Sequence, residues 1–224
     1  MKYHIEFDID FRRNSYEGLY IVVEGIDGSG KTTQVEKLTA FFQEQGRGVV
    51  RTREPRKEDG MIADLVQKIL HGETKIPPVA FQYLFTADRE MHHEELVIPS
   101  LKAGKVVISD RCFWSAIPYG MLDRKAEIDQ KQQEYMLAAQ CILSMYHQFI
   151  VPDYTFFLDI PLDVAVARIG KKSGEKEIYE ERGKLEKIIN GYEWLLHEFP
   201  KEFVVIEGTR GVGEITKQIV SCIR

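Results

Sequence analysis

Short apolar, β-branched runs alternate along this chain with longer stretches of helical spacing. Residues 19–24, 49–54, 105–110, 154–159 and 203–207 read as five strands, those at 19–24, 105–110 and 154–159 as buried ones. Between them, residues 33–45 place Val35, Leu38, Phe41 and Phe42 on one helical face. Residues 60–71, 127–147, 162–169 and 212–222 read as further helices. Pro77 and Pro78 open a longer one that runs to about residue 101, with a bend expected near Pro99, until Gly104 stops it. A basic, glycine-punctuated flap at about 170–177 precedes a long charged helix over 177–199. Strands alternating with helices imply an α/β fold, with a five-stranded parallel sheet covered on both faces and ligands at the strands' carboxyl ends. The first fourteen residues follow another rule: Tyr3, Ile5, Phe7, Ile9 and Phe11 alternate with polar positions, as in a strand with one wet face. Residues 1–18 are therefore expected to be an N-terminal extension, an extra edge strand and its linker, before a single domain over 19–224.

The turn between the first buried strand and its helix carries the chemistry. Gly25-Ile26-Asp27-Gly28-Ser29-Gly30-Lys31-Thr32 matches the phosphate-binding loop G-x-x-x-x-G-K-[S/T] at every constrained position. Residues without a Cβ let the backbone curl until its N–H groups converge on phosphate oxygens, and the helix N-terminus adds a positive end. Lys31 is placed to reach the β- and γ-phosphates, and Thr32 to offer a hydroxyl to Mg²⁺. The loop alone leaves kinase, GTPase and ATPase open.

Composition narrows the setting. A net charge of −5 argues against an extended nucleic-acid surface, and the absence of a long apolar segment argues against a membrane. Three cysteines without C-x-x-C spacing suggest free thiols in a reducing, cytoplasmic compartment.

Further segments line up with one family. Glu24 to Gln34, Thr52-Arg53-Glu54-Pro55, Leu84-Phe85-Thr86-Ala87-Asp88-Arg89, Asp110-Arg111, Pro152-Asp153 and Glu207-Gly208-Thr209 stand in the order and spacing of thymidylate kinases, which the chain resembles from about residue 19 onwards. The resemblance implies a three-layer P-loop kinase fold and transfer of the γ-phosphoryl of ATP to dTMP with Mg²⁺. It implies ATP binding by Gly25, Gly28, Ser29, Gly30, Lys31, Thr32 and Thr33, with Arg168 against adenine and Thr209 nearby. Phe85 would stack on thymine and Arg89, one helical turn on, would hydrogen-bond it. Asp27, Arg111, Arg56, Ser115 and Tyr119 would complete the acceptor site, Tyr119 against the sugar's 2′ carbon, and Asp110 and Glu180 would join Thr32 near the metal. Family members are commonly homodimers.

The chain also departs from the pattern. Cys112 replaces the usual tyrosine after Asp-Arg, and Arg56-Lys57-Glu58-Asp59 replaces two glycines and a threonine. Family members draw a catalytic arginine from the P-loop or from the flap, yet position 28 is glycine and the flap has only lysines. Lys172 and Lys176, or Arg182 behind them, are then the expected sources of positive charge. Other readings are a kinase for another nucleotide or a deoxynucleoside, a nucleotide-binding regulator, or a GTPase switch, although no N/T-K-x-D guanine motif follows a late strand. His92-His93-Glu94-Glu95 invites a metal reading, but adjacent histidines on a helix diverge by about 100°.

Overall fold

The computed structural model describes residues 8, 10–57, 60–123, 132–171 and 178–223. At its centre is a parallel sheet built from β2 (Leu19–Glu24), β3 (Val49–Arg53), β4 (Val106–Asp110), β6 (Tyr154–Asp159) and β7 (Val204–Glu207), in the order β3-β4-β2-β6-β7. Strand β2 is central because both of its faces are apolar. Tyr20 and Val22 enter one core, while Ile21 and Val23 enter the other. The second core is closed by α1 (Lys31–Glu44) and α9 (Val212–Cys222), through Val35, Leu38, Phe42, Ile215 and Ile219. The first is closed by α2 (Met61–Leu70), α3 (Pro78–His92), α5 (Ala116–Asp123), α6 (Gln132–Tyr146) and α8 (Arg182–Glu198). These are the three expected layers. From β2 the chain crosses to the edge strand β3, returns to β4, and then passes to β6 and β7 on the other side of β2, so the turn after β2 opens on the crevice at the sheet's carboxyl edge.

Three elements differ from the sequence reading. The long helix is not a single α-helix. After α3 the chain makes a π turn over His93–Val97 and resumes as α4 (Ile98–Lys102). The expected irregularity thus sits just ahead of Pro99, whose ring would clash with the carbonyl of a regular preceding turn. Gly104, at φ +68°, then closes the helix as its left-handed stop. Helix α8 begins at Arg182 rather than at residue 177.

The N-terminal strand is present, but not at an edge of the main sheet. Strand β1 (Arg12–Arg13) pairs in parallel with β5 (Ile150–Val151) in a separate two-stranded sheet. Most of the alternating pattern, residues 1–7 and 9, lies outside the described residues. Phe11 nevertheless enters the first core, with its ring 5.4 Å from Trp114 and 6.0 Å from Phe199. Arg13 makes a two-pronged contact with Glu202, at 2.7 and 2.6 Å.

The extension is therefore expected to stabilise the domain. Phe11→Ala should lower the unfolding free energy in urea by about 2 kcal/mol, below the range for a fully buried phenylalanine because this ring is half-buried. A midpoint that does not move would mean that the segment merely lies on the surface.

Candidate active site

A cleft of about 530 Å³ opens where β2, β3 and β4 end. Its floor is the turn from Gly25 to Thr32. Gly30 caps α1 in a left-handed conformation, and Gly28 combines φ +82° with a packing constraint. A Cβ at residue 28 would stand 2.7 Å from the carbonyl oxygen of Ala165 in α7 (Leu162–Ile169). An arginine side chain therefore has no place at that position. Gly28, Gly30, Lys31, Thr32 and Thr33 line the cleft, whereas Gly25 and Ser29 do not.

Lys31 donates to the Ile26 carbonyl at 3.0 Å and stands 3.7 Å from Asp27. Burial and the neighbouring charge of Arg111 bring its ammonium down to about 8, against the opposing pull of Asp27, Asp110 and Glu24. Burial pushes the Asp27 carboxyl upwards, but Arg111 and Lys31 override it and hold it well below the usual carboxylate range. Thr32 Oγ1 donates to Asp110 Oδ2 at 2.6 Å. That hydroxyl and carboxylate are hard oxygen donors, which suits Mg²⁺ held jointly with substrate phosphates.

Arg111 is the hub of the cleft. It adopts φ +76°, a conformation uncommon for a residue with a side chain, directly after β4. Its Nη2 donates to Asp27 and to the Tyr119 hydroxyl, both at 2.7 Å, and Tyr119 donates onward to Asp27 at 3.2 Å. Its Nη1 donates to Ser115 at 3.2 Å and to Tyr192 at 3.1 Å. Both of those hydroxyls donate to Glu24 Oε2, at 2.6 and 2.8 Å, and the Cys112 amide donates to Oε1 at 2.9 Å. The sequence reading assigned no role to Glu24 or Tyr192. A signal existed for Tyr192: Leu185, Ile188, Tyr192 and Leu195 share the buried face of α8, and a buried phenol needs a partner.

Phe85 and Arg89 also line the cleft, on the side formed by α3. The Phe85 ring lies 4.2 Å from that of Phe81. Arg89 is buried, its Nε donating to Glu54 Oε2, its guanidinium 4.6 Å from the centre of the Tyr146 ring, and its Nη1 without a partner. Arg56 turns away. Its Nε donates to Asp88 at 2.9 Å and its Nη1 to Glu95 at 3.0 Å, and it does not line the cleft. Arg53, which the sequence reading passed over, does line it, and its buried Nε has no partner.

Arg168 braces the loop, donating from Nη1 to the carbonyls of Gly28 and Ser29 and from Nη2 to that of Gly208. Thr209 donates to Glu207 and stays outside the cleft lining, while Glu180 belongs to it. Lys172 and Lys176 lie outside the described residues. Arg182 is exposed and donates to Asp163 at 2.7 Å, outside the cleft lining. Among the described residues no group of three histidine, cysteine or acidic side chains converges as a metal site. His92 and His93 are instead buried beside Glu54, at 3.3 and 3.8 Å.

The Glu54 cluster makes stability depend on pH. Burial raises the Glu54 carboxyl, but Arg89, His92 and His93 outweigh it and bring it to about 2. Its contribution is present above the ordinary 4.5 and lost as pH falls towards 2. Burial lowers His93 to about 4, so protonation of that ring costs stability as pH falls from 6.5 towards 4. Urea midpoints should therefore fall in two adjoining stages. Glu54→Gln should shrink the lower stage, to which Asp27 also contributes, and His93→Leu should remove the upper, and unaltered profiles would contradict these shifts.

Comparison with known proteins places the chain in a family. A family model described as "Thymidylate kinase" matches residues 23–219. A thymidylate kinase of Thermoanaerobacter sp. (strain X514) is 31% identical over 209 residues, covering 93% of this chain and 98% of its own. One from Leifsonia xyli subsp. xyli is 34% identical over 203 residues, covering 90% and 92%. A probable thymidylate kinase of Thermococcus kodakarensis is 33% identical over 214 residues, covering 92% and 97%. With its phosphate-binding loop, its Asp-Arg hub and its Phe85–Arg89 pair inside one matched span, the chain belongs to the thymidylate kinase family.

Proposed function

We propose that this chain transfers the γ-phosphoryl of ATP to dTMP, giving dTDP and ADP. The observation that carries this reading is that a phosphate-binding loop and an aromatic–arginine pair line a single cleft, with Arg111 and Asp27 among its other walls. A GTPase switch activates water and needs no second organic pocket, and nothing on the cleft's α3 side favours that alternative.

The residues divide the work as follows. Backbone N–H groups of the loop, Lys31 and Thr33 hold the donor phosphates, and Arg168 keeps the loop in shape through its carbonyls. Phe85 stacks on the base and Arg89 meets its edge. Arg53 offers a cation to the acceptor phosphate, while Arg56, tied to Asp88, supports that strand end from behind. Arg111 clamps the acceptor phosphate through the edge now bonded to Asp27, and Asp27 aligns it towards the donor. Tyr119, held by Arg111 and Asp27, is the wall beside the sugar that excludes a ribose hydroxyl. Thr32 and Asp110 would hold Mg²⁺, with Glu180 near it, and the ion when bound neutralises phosphate charge. Lys172 and Lys176 supply the flap's positive charge. The acceptor phosphate is already ionised near neutral pH, so positioning and charge neutralisation are the main tasks. A cytoplasmic location and a homodimeric state complete this reading, as in the family; the described residues include no helix long and apolar enough to cross a membrane.

Steady-state assays with ATP, Mg²⁺ and a panel of monophosphates test the proposal. dTMP should be the preferred acceptor, and Lys31→Ala should lower kcat by roughly 10²–10³ in a folded protein, as loss of a transition-state donor does elsewhere. Equal use of several acceptors would refute the substrate assignment. Lys31 also predicts a proton linkage. With its ammonium brought down to about 8 by burial and Arg111, part of the free enzyme is deprotonated there at pH 8, and bound phosphates restore the charge. Calorimetry at pH 8 in two buffers of different ionisation enthalpy should show a net proton uptake with ATP. Lys31→Met should abolish that uptake.

A further inference from the structure

We propose that Glu54, itself held by His92, is a positioning residue that fixes Arg89 as a donor towards the acceptor base, and so favours a pyrimidine with a carbonyl where cytosine has an amino group. This inference rests on the acceptor reading above. An arginine discriminates between carbonyl and amino groups only if its donors stay in one place, because a mobile guanidinium can retreat from the wrong base. Here three contacts restrain it. Glu54 Oε2 accepts from Nε, the Tyr146 ring supports the planar face at 4.6 Å, and Tyr146 is in turn bonded to Thr86, one turn earlier on α3, at 3.1 Å. What remains is Nη1, buried and without a partner, on a residue that lines the cleft beside Phe85. Guanidinium carries only donors, so a carbonyl satisfies it and an amino group leaves both sides unpaired.

Glu54 is restrained as well. Its other oxygen lies 3.3 Å from His92 Nδ1, and His92 Nε2 lies 2.6 Å from the Thr52 hydroxyl in β3. The tautomer with its proton on Nδ1 satisfies both contacts, donating to Glu54 and accepting from Thr52. The carboxylate is thus gripped by α3 on one side and tied to β3 through a histidine on the other. The neighbour of Glu54 on that strand end is Arg53, assigned above to the acceptor phosphate. A single strand end would then set both ends of the acceptor.

The test is steady-state kinetics at saturating ATP and Mg²⁺, with dTMP and dCMP varied, on wild type, Glu54→Gln, His92→Gln and, as a purely structural control, the buried-core variant Leu101→Ala. Glu54→Gln keeps the shape and an acceptor oxygen but removes the charge. It should raise the KM for dTMP at least tenfold, leave the KM for ATP within twofold, and lower the kcat/KM preference for dTMP over dCMP at least fivefold. His92→Gln should shift both quantities in the same direction by less, and Leu101→Ala should lose thermal stability without either shift. A folded Glu54→Gln with an unchanged KM for dTMP and unchanged preference overturns the inference. So does a common rise in both substrates' KM, or the same shift in Leu101→Ala. If Glu54→Gln does not fold, His92→Gln decides by the same criteria. Failure of the wild type to phosphorylate dTMP would instead overturn the acceptor reading itself, before any variant is compared.

Discussion

Glu24 is a carboxylate with no exposed surface at the end of the central strand, and the site is arranged around satisfying it. A buried charge without partners is prohibitive, so the chain must bring donors to it. They come from three places: the amide of Cys112 and the hydroxyl of Ser115 beyond β4, and the hydroxyl of Tyr192 from α8. Both hydroxyls spend their protons on Glu24 and are left with lone pairs, which accept from one edge of Arg111. The carboxylate therefore orders a guanidinium that it does not touch. The strained backbone of Arg111 persists because its side chain is over-determined at both edges.

The opposite edge of that guanidinium is bonded to Asp27, and Lys31 lies on the same carboxylate. In the free protein Asp27 thus stands in for phosphate, balancing two cations that would otherwise repel across the loop. The balance is incomplete: burial first, and then the charge of Arg111, lower the proton affinity of Lys31. On the proposed function a triphosphate completes it, which makes binding and charge compensation one event rather than two.

How much of this could be read beforehand depended on whether the determinants were local. The inner strands β2, β4 and β6 were legible because burial leaves near-unbroken apolar runs, β3 and β7 because short β-branched runs mark even half-exposed edges, and the loop because its glycines, lysine and threonine are adjacent in sequence. Phe85 and Arg89 were legible as a pair four residues apart, given the family pattern. The partnership of Glu24 and Tyr192 was not, since 168 positions separate them and the segment that opens on Glu24 shows nothing of what the carboxylate binds. Arg53 and Arg56 could not be ranked either, because Asp88 and Glu95, more than thirty residues later, draw Arg56 aside. The N-terminal alternation suggested a strand but could not name its partner, which proved to be β5.

The π turn after α3 gives the helix one residue more than a regular α-helix of the same span would hold. Upstream of it the inward stripe is set by Phe85 and Arg89, which line the cleft, and by His92, buried beside Glu54. Downstream, Val97, Ile98 and Leu101 pack against the sheet. The surplus residue uncouples the angular phase of these two halves, as a splice lets two lengths of rope be twisted separately. Evolution can therefore rotate the half that lines the cleft without disturbing the half that anchors it, a freedom that a continuous helix would deny.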